Sequence, residues 1–278
     1  MSLNNLDSDS LATLLHARYG QAASLPESAS TESLLQQLAH RSVRRFAPRP
    51  LAQGVLEAAI AAAQSAATSS NLQQWSVVSV QSQAGKEAFY DLCNRQQPIL
   101  EAPVFLVWLV DQSRLQALAA GEGQNAEALD YFETFVEGIV DATLAAQNAV
   151  VALESFGIGT VFIGSVRNHP EAIAKQLNLP PKVFPVFGLC VGYPAEDGIV
   201  GIKPRLPQTS ILHDETYQAA TTEVTDAFEA VTLAYQQREG RPETGWREPS
   251  LARITSAARF TGRERLKPAL ERLGIGLK

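Results

Sequence analysis

Cysteine is nearly missing from this 278-residue chain: Cys93 and Cys190 are the only two, too few for a disulfide framework. Histidine is almost as scarce. His16, His40, His169 and His213 are scattered without metal-ligand spacing, so no metal is expected. Long apolar runs are lacking too. The longest, 102–110 (APVFLVWLV), contains a proline and falls far short of the roughly 20 residues a spanning helix needs. The opening MSLNNLDSDS has neither the basic start nor the apolar centre of a secretory signal. These absences predict a cytoplasmic protein without a membrane partner. The net charge of −6 argues against general nucleic-acid binding.

Common catalytic signatures are missing as well. There is no G-x-S-x-G elbow, no G-x-x-x-x-G-K-[ST] loop and no H-E-x-x-H. Gly157-Ile-Gly159 begins a glycine pattern, but its third glycine, Gly164, is misplaced for dinucleotide binding. The pattern also follows a helix and precedes a strand, the reverse of the order that sets a pyrophosphate on a helix N-terminus.

What is present is an ordinary folding composition, 45% hydrophobic and 19% charged, with an uneven charge distribution. Residues 238–278 carry eight Arg and two Lys against five Glu, a basic tail on an acidic body. Its plainer reading is a solvated helical surface. Residues 1–30 read as an arm holding a short helix at 10–19 and a polar linker with Pro26; residues 31–278 read as one domain that includes the tail.

Ser30 or Thr31 can cap a helix running to about His40, followed by an irregular piece broken by Pro48 and Pro50. Further helices are expected at 51–67, 84–94, 126–156, after Pro170 and at 214–237. Strands are expected at 75–80, 104–110, 160–163 and 183–191. Helix 126–156 is apolar on nearly all sides, which predicts burial in the core or in a subunit interface. Helices and strands mix without strict alternation, so the fold class is α+β.

Two segments concentrate anion donors. His40-Arg41-Ser42-Val43-Arg44-Arg45-Phe46 follows a helix, and guanidinium forks with a hydroxyl and an imidazole N–H suit a phosphate or an anionic ring. The alternative is a helix end decorated with cations that complement its dipole. In Lys203-Pro204-Arg205-Leu206-Pro207 the prolines stiffen an extended piece, so Lys203 and Arg205 face the same way. A rigid surface loop is its plainer reading. A third segment, Ala67-Thr-Ser-Ser-Asn-Leu-Gln73, is a polar loop between a helix and a strand, or simply a helix stop with hydroxyl caps.

Taken in order, these segments with Ala146-Gln-Asn-Ala149, 157–164, Phe187-Gly-Leu-Cys-Val-Gly192 and the Lys203 segment resemble the nitroreductase family. The resemblance is to its NADPH-dependent, oxygen-insensitive major nitroreductases and flavin reductases. It covers His40 to Tyr217 well, the tail loosely and the first 30 residues not at all.

The resemblance implies a central mixed sheet flanked by helices, a homodimer and an FMN cofactor. It implies that His40, Arg41, Ser42 and Arg44 contact FMN and that Ser69 and Ser70 lie on the isoalloxazine side. Gln97, or Gln96 one residue earlier, would meet the pyrimidine edge, and Phe162, Ile163, Gly164 and Ser165 would lie beside the ring. Lys203 and Arg205 would hold the phosphate. Glu133, eight residues before Asp141, and Ser70 would be nearest the substrate. Phe162 stands where the family often has tyrosine, and Ser165 where it has glycine.

Arg238 and Arg241 are the candidates for the 2′-phosphate of NADPH. The implied activity is ping-pong hydride transfer from NADPH to nitroaromatics, quinones or flavins. It needs no side chain as reacting atom, only a seated ring, one open face and a cation, Arg41 or Arg44, at the N1–O2 edge. The alternatives are a flavin-binding or storage protein without turnover, or a site for another phosphorylated ligand.

Overall fold

The computed structural model describes residues 10–20, 25–198 and 200–278. In chain order the helices begin with α1 (Leu11–Tyr19), α2 (Glu32–Leu38) and α3 (Val55–Gln64). Strand β1 (Trp75–Val80), α4 (Gln83–Leu92), α5 (Pro98–Glu101) and β2 (Val104–Asp111) follow. Then come α6 (Ser113–Gly121), α7 (Phe132–Ser155), β3 (Gly159–Ile163), α8 (Pro170–Gln176) and β4 (Val183–Gly192). The chain closes with α9 (Thr222–Arg238), α10 (Arg247–Ile254) and α11 (Leu266–Arg272). The described residues form two compact units, one from Met1–Arg41 with Ile199–Arg259, the other from Ser42–Gly198 with Phe260–Lys278.

The second unit is built on a sheet in the order β1-β2-β4-β3 whose strand pairs are all antiparallel, not the mixed sheet expected. β2 is buried along almost its whole length, and its alternating side chains feed two core layers. Phe105, Val107 and Leu109 pack with Phe89, Ile99 and Ile173, while Leu106 and Trp108 pack with Ala59, Ala145, Ala149 and Leu153. Helices therefore cover both faces. The small residues Ala142, Ala145, Ala146 and Ala149 on the buried side of α7 let α3 and the sheet approach closely. At the outer edge of the sheet the segment after α2 runs beside β3, with Ser42 bridging Thr160 and Val43 N donating to Thr160 O at 2.9 Å. Gly159 permits that approach, since a Cβ there would stand 2.5 Å from Val43 Cγ2. The tail returns to this unit, where Leu270 and Ile275 join Phe135, Phe184 and Val186.

The first unit holds α1, α2, α9 and α10. Ser10 caps α1 by accepting Thr13 N, and Thr31 caps α2 by accepting Leu34 N. Gly20 closes α1 in a left-handed turn, φ 67°, and the absence of a side chain there leaves room for Val231 of α9. Leu14 and Leu15 of α1 are buried, so the helix in the expected arm is docked rather than free. Part of the linker, 21–24, lies outside the described residues.

Several sequence expectations need correction. Helix 51–67 is trimmed to α3. Helix 126–156 begins only at Phe132, because Glu127–Asp130 makes a 3₁₀ turn. Helix 214–237 starts at Thr222, since Glu215 takes a left-handed φ of 55° and the two threonines Thr221 and Thr222 mark the cap. α7 is not buried all round: Phe132, Val136, Val140 and Leu144 are 38–47% exposed along one stripe. By length and composition α7 could cross a membrane, but its other side packs on the sheet and carries the buried Asp141, which makes it a core helix.

Candidate functional site

In the first unit, α2 ends just before His40 and Arg41, which places both at a helix C-terminus where carbonyls lack intrahelical partners. Arg41 is half-buried, and its Nε is buried without a hydrogen-bond partner among the described residues. A guanidinium donor left so is costly unless an acceptor arrives, so Arg41 fits an anionic or carbonyl-bearing group. Lys203 and Arg205 are exposed and the intervening Pro204 is buried, the alternation expected of a stiff extended strip presenting two cations on one side. Arg205 folds its Nη1 back on the carbonyls of Lys203 and Pro204, at 3.2 and 3.1 Å.

Sequence reasoning missed the residue that ties these pieces together. Arg18 of α1 donates to Leu38 O at 2.6 Å, His40 O at 3.1 Å and Lys203 O at 2.8 Å. Its own carbonyl accepts Arg205 N at 2.8 Å. The signal was present: Arg18 lies three and four residues after Leu15 and Leu14, which puts it on the same helix face as that buried pair.

In the second unit, Ser42 sits on the β3 edge, and the exposed Arg44 donates to Ser42 O at 3.4 Å. The polar loop after α3 contains three residues at positive φ, Ser70, Asn71 and Gln73. Such backbone has no repeating hydrogen-bond partners of its own, and α7 supplies them. Asp141, 1% exposed, accepts Ser69 N at 3.0 Å and Gln74 N at 3.2 Å. Glu137 accepts Ser69 Oγ at 2.9 Å and Gln74 Nε2 at 3.5 Å. The hydroxyl proton of Ser69 is therefore directed toward α7, and Ser70 is the exposed member of the pair. Asp141 and Glu137 were not singled out for this role, although an acid among the alanines of the inner α7 face is conspicuous.

The remaining expected residues are distributed around the same unit. Gln97 is exposed at the start of α5, with Gln96 half-buried before it. Phe162 is 42% exposed and meets Phe187 edge-on at 5.2 Å, beside the buried Ile163. At Gly164 an added Cβ would lie 3.6 Å from Arg167 Nη2 and 3.8 Å from Arg263 Nη1, two cations that sequence reasoning did not assign. Ser165 Oγ donates to Cys93 O at 2.8 Å. Glu133 is exposed in the first turn of α7. Burial pushes the Cys93 thiol up to about 12 and raises that of Cys190 as well, so neither supplies a thiolate. Among the described residues no cluster of His, Cys, Asp or Glu could hold a metal ion.

Arg238 and Arg241 share a partner in the first unit. Arg238 stands in the last turn of α9 rather than after it, and the two guanidinium groups lie 5.6 and 5.8 Å from the Tyr235 ring. Glu239 stands 3.7 Å from Arg238 Nε and also accepts Gly201 N at 2.7 Å.

Comparison with known proteins gives the family. Residues 38–193 match the Nitroreductase family and residues 203–278 match the Nitroreductase family, C-terminal domain. The chain is 38% identical over 212 residues to a Bacillus subtilis protein named FMN reductase [NAD(P)H], covering 74% of this chain and 84% of that one. It is 36% identical over 202 residues to the oxygen-insensitive NADPH nitroreductase of Salmonella typhimurium, covering 72% and 81%. The solved structure of NfrA2 from B. megaterium superposes with a TM-score of 0.84 at 31% identity, covering 90% of this chain and all of that one.

Proposed function

The chain belongs to the nitroreductase family, and we propose that it is an FMN-dependent NADPH oxidoreductase acting on nitroaromatics, quinones or free flavins. The observation that carries the reading is the buried, unpartnered Nε of Arg41, in a chain whose relatives are named FMN reductase and NADPH nitroreductase. When bound, FMN supplies the hydride-accepting and hydride-donating chemistry, which no side chain provides.

The residues of this chain bind and orient. Lys203 and Arg205 would hold the phosphate through charge-assisted hydrogen bonds. Arg41 or Arg44 would stand as the cation at the pyrimidine edge, and His40, Ser42, Ser69, Ser70 and Gln97 would supply directional contacts. Phe162 to Ser165 would line one side of the ring, and Glu133 would border the substrate. Two free, buried cysteines suit a reducing compartment, and the cytoplasm is the proposed one.

The test begins with colour. The purified protein is expected to be yellow, to release FMN on acid treatment and to oxidise NADPH steadily with menadione as acceptor. A yellow protein without turnover returns the storage reading; a colourless one that takes up no added FMN overturns both.

We further propose a homodimer. The stripe Phe132, Val136, Val140 and Leu144 repeats every four residues on the outer side of α7, the pattern of a helix face covered by a partner. An obligate interface of this kind buries on the order of 2,000 Å² or more. Val140→Glu with Leu144→Glu is expected to halve the sedimenting mass, and a wild-type monomer carrying FMN would contradict the dimer.

A further inference from the structure

We infer that Arg18, on the N-terminal helix, is a positioning residue for recognition of the cofactor phosphate; the inference rests on the FMN reading above. Arg18 lies before residue 38, outside both stretches that match the family. It nevertheless fastens residues at the margins of both matched stretches. The Arg18 side chain is 6% exposed, and its planar fork fixes three carbonyls at once, those of Leu38, His40 and Lys203. Because the Arg18 carbonyl also accepts Arg205 N, one residue holds the cationic strip from both sides of its proline.

Pro204 makes this grip necessary. Without an N–H of its own, Pro204 leaves the short strip with fewer backbone donors to anchor it, and an extended segment held by few bonds samples many orientations. Fixing Lys203 O and Arg205 N sets the outward direction of both cations and sets their distance from the His40 turn. Such preorganisation lowers the entropic cost of meeting a phosphate. The anchor itself is immobilised, since Leu14 and Leu15 bury α1 and Gly20 turns the chain beneath Val231.

The distinguishing ligand is riboflavin, which has the ring of FMN but no phosphate. Full-length protein freed of flavin is titrated with FMN and with riboflavin, following flavin fluorescence, for the wild type, Arg18→Ala and Arg18→Gln; melting temperature is recorded for each. Arg18→Gln keeps a donor but loses the fork, so it serves if Arg18→Ala does not fold. Both variants are expected to weaken FMN by about tenfold while riboflavin affinity stays within about twofold, since loss of hydrogen bonds to a charged group is concentrated on the phosphate. If the wild type itself binds FMN no more tightly than riboflavin, the phosphate assignment of Lys203 and Arg205 fails and takes the inference with it. If the wild type prefers FMN and the variants keep that preference, or lose both ligands equally, Arg18 is merely structural and the inference alone is overturned.

Discussion

The loop 69–74 is held by carboxylates from α7, whereas the strip 203–205 is held by a guanidinium from α1, and the two arrangements solve one problem with opposite charges. Both segments are irregular backbone and lack the repeating partners of helix or sheet. In the loop, left-handed residues turn N–H groups inward, so the buried partner must accept. In the strip, a proline removes an N–H and the Lys203 carbonyl remains, so the buried side chain must donate, while the backbone carbonyl of Arg18 takes the N–H left at Arg205. The sign of the anchor thus follows from which backbone dipole the local conformation leaves unsatisfied. Asp141 lies within the matched family span, while Arg18 lies before it.

The largest effect should come from removing the acidic anchor. Asp141→Ala leaves two N–H groups of the loop without acceptors, one of them buried, and is expected to cost roughly 2–4 kcal/mol of stability, measured by urea unfolding. Asp141→Asn keeps one acceptor and should cost less. Equal stability of wild type and Asp141→Ala would mean that the loop finds other partners and that the comparison with Arg18 is false.

Next comes the group the basic anchor orients. Arg205→Ala is expected to weaken FMN by at least about tenfold, since a hydrogen bond to a charged group is worth on the order of 1.5–3 kcal/mol and 1.4 kcal/mol is one decade. The fold should be untouched, because the Arg205 side chain is exposed and, among the described residues, donates to the neighbouring carbonyls of Lys203 and Pro204. FMN held as tightly as in the wild type would return 203–207 to a rigid surface loop.

How far these features could be read beforehand depends on the range of the interactions that create them. Strand β1 was expected at the residues it occupies, and β2 and β4 within one residue at an end, because alternation and dense apolar runs are local signals. The start of α9 was misplaced by eight residues, because propensity does not reveal that the chain turns left-handed at Glu215. The outer stripe of α7 was read as buried in the core or in a subunit interface, because a sequence marks it as apolar without saying what covers it; it is not in the core. The anion-donor segments were visible as clusters. Their anchors were not: Ser69 meets Asp141 across 72 positions and Arg18 meets Lys203 across 185. A buried charge on an otherwise apolar helix face, Arg18 beside Leu14 and Leu15 or Asp141 among alanines, is the trace such an anchor leaves.

The smallest expected effect concerns the cations least firmly held. NADPH differs from NADH by a 2′-phosphate, so any preference between them needs a cation placed for that group. Arg238 is exposed, and its pairing with Glu239 at 3.7 Å is of the surface kind that contributes about 0–1 kcal/mol, so a dianionic phosphate can displace it at little cost. Arg241 is half-buried and lies over the same Tyr235 ring, which makes it slower to reorient. Arg238→Ala is therefore expected to lower the NADPH/NADH ratio of kcat/KM by about fivefold, somewhat under the full value of a charged hydrogen bond, and Arg241→Ala by less. Glu239→Gln sharpens the test: it keeps an acceptor for Gly201 N while removing the competing charge, and should raise the ratio. A wild type that prefers NADH, or a ratio unmoved by both arginine substitutions, would make this end of the tail a solvated surface and leave Lys203 and Arg205 as the phosphate-binding cations of the first unit.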